Sequence, residues 1–236
     1  MTEFWVYFSA QPLFWIVLTI AVFMFSRWLN RRLGGLSLLH PVLISMTILI
    51  SLLLLTGTDY ETYFNGAQFI HFLLGPATVA LAIPLYDYFD RIRRIWLPIL
   101  IATLSGALVA VVSATGIAWL MGGEPRTILT LAPKSVTSPI AIGIVEKIGG
   151  YPSMAAGLVL ITGMLGCVMA PWIFRLMRID NDLARGFALG LSAHGLGTAY
   201  ALGLSSLAGA FAGLAMAVTG LVTAFLVPLL VSLAGL

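Results

Sequence analysis

The sequence predicts an all-α, polytopic integral membrane protein with about eight membrane-embedded segments. Three observations predict it. The chain is 60% hydrophobic and only 9% charged, where a soluble domain would carry roughly a quarter charged residues. Its mean hydropathy is +1.05, and apolar runs recur that approach the roughly 20 residues a helical crossing needs. The arginines gather beside those runs (Arg27, Arg31, Arg32; Arg91, Arg93, Arg94; Arg175, Arg178, Arg185), where positive charge sets orientation rather than binding nucleic acid. So little extramembrane sequence remains that a soluble catalytic domain is not expected, and the chain is not expected to be an enzyme.

The first run extends from about Pro12 to Phe25 and ends at the first arginine cluster. Positive charge follows it rather than preceding it, the reverse of a signal peptide, so no cleavable leader is expected. A second run begins near His40-Pro41 and ends by Leu55, followed by a polar loop from Thr56 to Asn65. A third, Gly66 to Tyr86, is interrupted at Gly75-Pro76; a fourth, Trp96 to Leu120, is closed by Gly122-Gly123-Glu124-Pro125. Then come a segment from Thr127 to Ile148, a crossing from Pro152 to Met177, a segment from Ala184 to Leu207 and a last crossing from Ala208 to Leu233. The six tryptophans lie near proposed span ends, Trp15 less clearly than the rest, as in an interfacial belt.

Two of these segments are broken. Ala132-Pro133-Lys134-Ser135-Val136-Thr137-Ser138-Pro139 sets a lysine, three hydroxyls and two prolines among apolar residues. Proline removes a ladder donor and bends the backbone, and Ser138-Pro139 has the form of an N-cap and first helical position. The second break is His194-Gly195-Leu196-Gly197. Irregular backbone at membrane depth is tolerated only where protein or a watery cavity satisfies it, and in transporters such breaks form the substrate site.

Charge parity constrains the topology. If the three arginine clusters are all cytoplasmic, the fourth run ends outside and Pro152 to Met177 must start outside. The segment 127–148 must then enter and leave on one face, as a re-entrant hairpin with its tip at the proline-lysine break. Gly75-Pro76-Ala77-Thr78 and Gly195-Leu196-Gly197-Thr198 share a Gly-x-x-Thr pattern. By the same parity they enter from opposite sides, so an inverted repeat with halves 1–121 and 126–236 is one organisation this allows, within a single transporter-like domain.

Lys134 is the one basic residue flanked closely by apolar sequence on both sides, and an intramembrane ionisable residue is a functional hypothesis by default; the alternative is a lysine snorkelling from a helix end. With Ser135, Thr137 and Ser138 and the positive end of a restarted helix it makes an anion cradle. His194 is either a packed, hydrogen-bonded histidine or a substrate or proton ligand. Ser192, Gly195, Gly197 and Thr198 belong to that second break, and Thr78 is the counterpart of Thr198. Ser192 and His194, two positions apart, do not face each other on a continuous helix, which argues against a serine-protease pair. All nine acidic residues fall near span ends or loops; no metal site, cofactor or catalytic residue is expected. His40 and His71 are read as structural, and the single Cys167 excludes an internal disulfide.

The stretches Leu131 to Ala141 and Ala184 to Ala199 resemble the LrgB/CidB family of bacterial membrane proteins, to which the plastid glycolate/glycerate transporter of plants also belongs. Leu55-Thr56-Gly57 with Tyr60 and Tyr63, and Gly75 to Ala82 with Pro84-Leu85-Tyr86, support the resemblance, which spans nearly the whole chain. It implies a multi-pass protein of the bacterial cytoplasmic (inner) membrane, in contact with the lipid bilayer. One function it implies is alternating-access transport of small monocarboxylates of the glycolate, glycerate, pyruvate or lactate type. The other is control of murein hydrolase activity and autolysis beside a holin-like LrgA/CidA partner, encoded separately because this chain lacks an LrgA-like portion. A small organic anion as ligand and a homo-oligomer, a dimer, are expected; nucleic acid is not.

Overall fold

The computed structural model describes residues 11–34, 39–80 and 82–233, apart from the side chains of Leu74 and Thr78. Every regular element among them is helical: α1 (Pro12–Arg32), α2 (Pro41–Thr56), α3 (Tyr60–Phe72), α4 (Leu74–Ala80), α5 (Ala82–Asp87), α6 (Phe89–Arg94), α7 (Trp96–Leu120), α8 (Pro125–Leu131), α9 (Ser138–Ile148), α10 (Pro152–Leu176), α11 (Asp182–Leu204) and α12 (Ser206–Leu233). Five helical stretches are long and apolar enough to cross a membrane: Pro12–Arg32, Tyr60–Asp87, Trp96–Leu120, Pro152–Leu176 and Ser206–Leu233. Large apolar side chains stand exposed along them, Ile101 and Val112 on α7 and Leu221 and Phe225 on α12 among them, as expected of a multi-pass protein whose outer surface meets lipid.

Local sequence accounts for the ends. Proline stands in the first turn of α1, α2, α8, α9 and α10, where its missing N–H has no intrahelical partner to lose. Gly57 and Gly149 close α2 and α9 with φ of 65° and 82°, a conformation that costs glycine nothing.

The chain forms two compact units, Met1–Leu81 and Ala82–Leu236. In the first, the polar stretch after α2 is shorter than the sequence suggested, because Asp59 caps α3 by accepting from the Thr62 N–H and hydroxyl and the helix starts at Tyr60. The interruption falls at Leu73, not at Gly75-Pro76. Pro76 cannot donate to the Phe72 carbonyl, so the ladder breaks one turn upstream of the ring. Trp15 is no belt residue. It is wholly buried, edge-on to Tyr63 at 5.5 Å and seated on Gly66, where a Cβ would collide with the indole.

The second unit alternates crossings with hairpins. After α7 the chain enters α8, turns through 132–137 and leaves by α9. The outer ends of these arms are tied together: Arg126 Nε donates to the Gly149 carbonyl at 3.0 Å, its guanidinium lies 4.1 Å from the Tyr151 ring, and the Tyr151 N–H donates to Thr130 Oγ1 at 2.8 Å. Residues 125–148 therefore form a hairpin with its two ends together, the shape that arginine parity leads one to expect of this segment. The helix start is displaced by one residue from the expected Ser138 cap: Thr137 is the N-cap, with no side-chain cap bond, and Ser138 and Pro139 are the first two helical positions.

α11 is a second hairpin. His194 has φ 41° and ψ −124°, inside an otherwise helical run, and the chain doubles back there. A Cβ on Gly197 would strike the Leu189 carbonyl, residues that a straight helix would hold roughly 12 Å apart. Leu189 and Ala201 share one buried cluster, and Arg185 and Leu204, near opposite ends of the run, line the same cleft. α12 then starts where this hairpin ends. α10, 25 residues long and so roughly 37 Å, separates the two mouths. Its start adjoins Tyr151 and Thr130, and its end, at Phe174, adjoins Arg185. The hairpins therefore open to opposite sides of the layer.

Candidate functional site

The two hairpin tips meet the same depth of the same two crossing helices. On α10, Val159 is buried with Val136 from the first tip, while its carbonyl accepts from His194 Nε2 of the second tip at 3.0 Å. One helical turn on, a Cβ at Gly163 would lie 2.8 Å from His194 Cε1. On α12, Thr198 Oγ1 lies 3.8 Å from Met216 Sδ, and Gly220 packs against Ile140, just past the first tip. Residues 159–163 lie near the middle of α10 and residues 216–220 near the middle of α12, so the breaks sit at mid-depth in the unit.

Lys134 is half-buried in the turn between α8 and α9. Its ammonium donates to Ser135 Oγ at 3.3 Å, and Ser135 is itself buried. Among the described residues the ion pairs are those of Arg185 with Asp180 at 2.8 Å and Asp182 at 3.9 Å, and none includes Lys134. A cation held in an apolar layer with no carboxylate is costly, and a small anion is the ligand that lowers that cost. Thr137 and Ser138 are half-buried beside it, at a helix start whose first N–H groups have no intrahelical partner.

The second tip is built differently. A carbonyl can only accept, so His194 Nε2 carries its proton toward Val159, and the imidazole is a packed group that also holds the turn. Thr198 Oγ1 donates back to the His194 carbonyl at 2.9 Å, one turn back on the returning arm. Gly197 is buried, and Gly195 is exposed at the turn. The structure thus brings Lys134, Ser135, Thr137, Ser138, His194, Gly197 and Thr198 to one depth. Ser192 is exposed and donates to the Ala188 carbonyl of its own helix at 2.6 Å. Thr78 belongs to the other compact unit, and its side chain lies outside the described residues. His40 caps α2 and His71 meets the Phe64 ring edge, both in that first unit.

Sequence reasoning passed over four of the residues that surround the tips: Val159, Gly163 and the pair Thr219-Gly220. A signal for them exists. Thr162-Gly163 is followed by Pro171 in α10 at the spacing Thr-Gly-x7-Pro, and Thr219-Gly220 is followed by Pro228 in α12 at the same spacing. The stretches 125–176 and 182–233, each a hairpin followed by a crossing, have equal length and opposite orientation. Each glycine accepts the opposite hairpin, Gly163 the ring of His194 and Gly220 the side chain of Ile140.

Comparison with known proteins matches residues 19–233 to the model of the LrgB-like family. The chain is 38% identical over 218 residues to the uncharacterized protein YwbG of Bacillus subtilis (strain 168), covering 92% of this chain and 96% of that protein. It is 30% identical over 227 residues to the antiholin-like protein LrgB of the same organism, covering 96% and 98%, and equally similar to the antiholin-like protein LrgB of Bacillus mycoides (strain KBAB4), covering 96% and 99%. No solved structure matches.

Proposed function

This chain belongs to the LrgB-like family, and from that premise we propose that it is a secondary carrier of small monocarboxylates in the bacterial inner membrane. Glycolate, glycerate, pyruvate and lactate define the substrate class. One observation carries the reading: Lys134, a cation without a carboxylate partner among the described residues, sits at a hairpin tip halfway along the crossing helices. The ammonium binds the carboxylate, with Ser135, Thr137 and Ser138 as hydroxyl donors and the first N–H groups of α9 adding the positive end of the helix dipole. Thr198 and His194 bound the site on the opposite side. Two hairpins that open to opposite faces and meet at mid-depth suit alternating access, in which either mouth admits solute while the other is shut. The test is uptake of labelled glycolate or pyruvate into liposomes containing this chain. Saturable uptake that Lys134→Ala abolishes, with the variant still folded, supports the carrier; non-saturating flux indicates a channel.

A second reading is favoured by the relatives named antiholin-like. In it the chain regulates autolysis, transports nothing and acts with a small holin-like membrane partner, the tips serving assembly. Absence of uptake for any small acid, together with altered lysis in cells lacking the chain, selects that reading over the carrier.

A further inference from the structure

Five buried hydroxyls in this protein share one pattern. Ser26, Ser45, Thr103, Thr130 and Thr198 each donate to the carbonyl one turn back, at 2.7, 2.7, 2.9, 2.7 and 2.9 Å. Thr219 lacks that bond. Its side chain is 1% exposed, and its Oγ1 is the buried side-chain polar atom that has no hydrogen-bond partner among the described residues. An unmade hydrogen bond at such a site carries the full desolvation penalty of the hydroxyl, and a buried polar group left this way calls for an explanation in a ligand or a function.

The position of Thr219 supplies one. It lies at the middle of α12, between Met216, which touches Thr198 of the second hairpin, and Gly220, which touches Ile140 of the first. It is the α12 member of the repeated Thr-Gly pair whose α10 glycine receives His194. We infer that Thr219 Oγ1 is a specificity-determining ligand for the oxygen on the second carbon of the transported acid, a 2-hydroxyl or 2-oxo group, while the carboxylate is held by Lys134. This assignment rests on the carrier reading above and deepens it. A site with a hydroxyl aimed at substrate oxygen favours glycolate over acetate, because acetate leaves that hydroxyl unpaired.

The experiment compares equilibrium binding and liposome uptake of labelled glycolate and labelled acetate for the wild type, Thr219→Val and Thr219→Ser, with Thr219→Ala as the variant should valine disturb packing. The wild type is expected to prefer glycolate; Thr219→Val is expected to reduce the glycolate-to-acetate ratio about tenfold or more, and Thr219→Ser to keep it. Without ligand, Thr219→Val is expected to melt no lower than the wild type, since it removes an unpaired polar atom, whereas Thr103→Val, which removes a made hydrogen bond, is expected to melt lower. An unchanged ratio in Thr219→Val and Thr219→Ala, with uptake intact, overturns the assignment and leaves the carrier standing. Binding whose ratio falls in Thr219→Val, without uptake in any form, overturns the carrier and upholds the site. Neither binding nor uptake overturns both.

Discussion

The two hairpins solve one geometric problem by different chemistry. The first reverses through the residues 132–137, with Pro133 and Lys134 in the turn, and is fastened at its mouth by polar contacts from Arg126 and Thr130. Its Gly143 has open space around it. The second reverses at the single residue His194 and is fastened along its length by direct backbone approach. A Cβ on Gly186 would strike the Ala208 carbonyl, and one on Gly190 that of Ala212. One hairpin thus spends its turn on polar groups and is packed by side chains; the other spends its turn on reversal alone and is locked to α12 by missing side chains. The lesson is a division of labour. The hairpin that carries Lys134 leaves open space at Gly143, while its partner is held against α12 by close backbone approach.

The sharpest way to break this comparison is at glycine. Gly190→Val is expected to leave no assembled protein in detergent extracts, because a backbone carbonyl cannot yield as a side chain can; overpacking costs about 1–3 kcal/mol even where neighbours can shift. Gly143→Ala is expected to be tolerated and to raise the melting temperature, since alanine gains about 0.5–1 kcal/mol over glycine within a helix. Size-exclusion profiles and thermal melts check both, and equal damage from the two would erase the distinction.

Next in size is the charge. Lys134→Ala is expected to weaken monocarboxylate binding about tenfold to a hundredfold, the worth of a hydrogen bond to a charged group of about 1.5–3 kcal/mol. The empty protein should melt no lower than the wild type, since an unpaired cation is removed, and isotope binding beside a melt separates the two effects. A smaller effect is expected at the second turn. His194 holds a positive φ that L-residues adopt at a cost of about 1–3 kcal/mol. His194→Ala and His194→Gly both lose the contact to Val159, but only glycine relieves the strain, so the glycine variant should be the more stable in thermal melts. The smallest change expected is Arg126→Ala, which removes an exposed carbonyl contact and a cation over Tyr151, worth about 0.5–1 kcal/mol at such a site. Faster backbone hydrogen exchange confined to the mouth of the first hairpin would record it.

Much of this was legible in the chain, and the residues say why. Pro133, Pro139 and Gly195 mark the breaks because they change what the backbone can do wherever they stand. The arginines at the end of α1, in α6 and around the end of α10 pointed to a hairpin between α7 and α10 because charge parity does not depend on packing. The loop before α3 was overdrawn because Asp59 and Glu61 look like solvent-facing polar residues until Asp59 is seen to cap a helix. Trp15 stands apart from the interfacial tryptophans in sequence, but nothing near it reveals that Gly66 leaves it a berth. Ser192 stood with His194 on spacing alone, and its hydroxyl proved to be taken by Ala188.

Composition, proline, glycine and local motifs, which act over a few residues, were enough to give a bilayer protein, its breaks near residues 133–139 and 194–198, and its family. Packing in three dimensions added that the second break is a full reversal, that both tips reach the middle of α10 and α12, and that the fully buried Thr219 Oγ1 has no hydrogen-bond partner among the described residues. Those facts depend on which backbone lies against which, and contacts between residues distant in the chain have no local signature until the helices are packed.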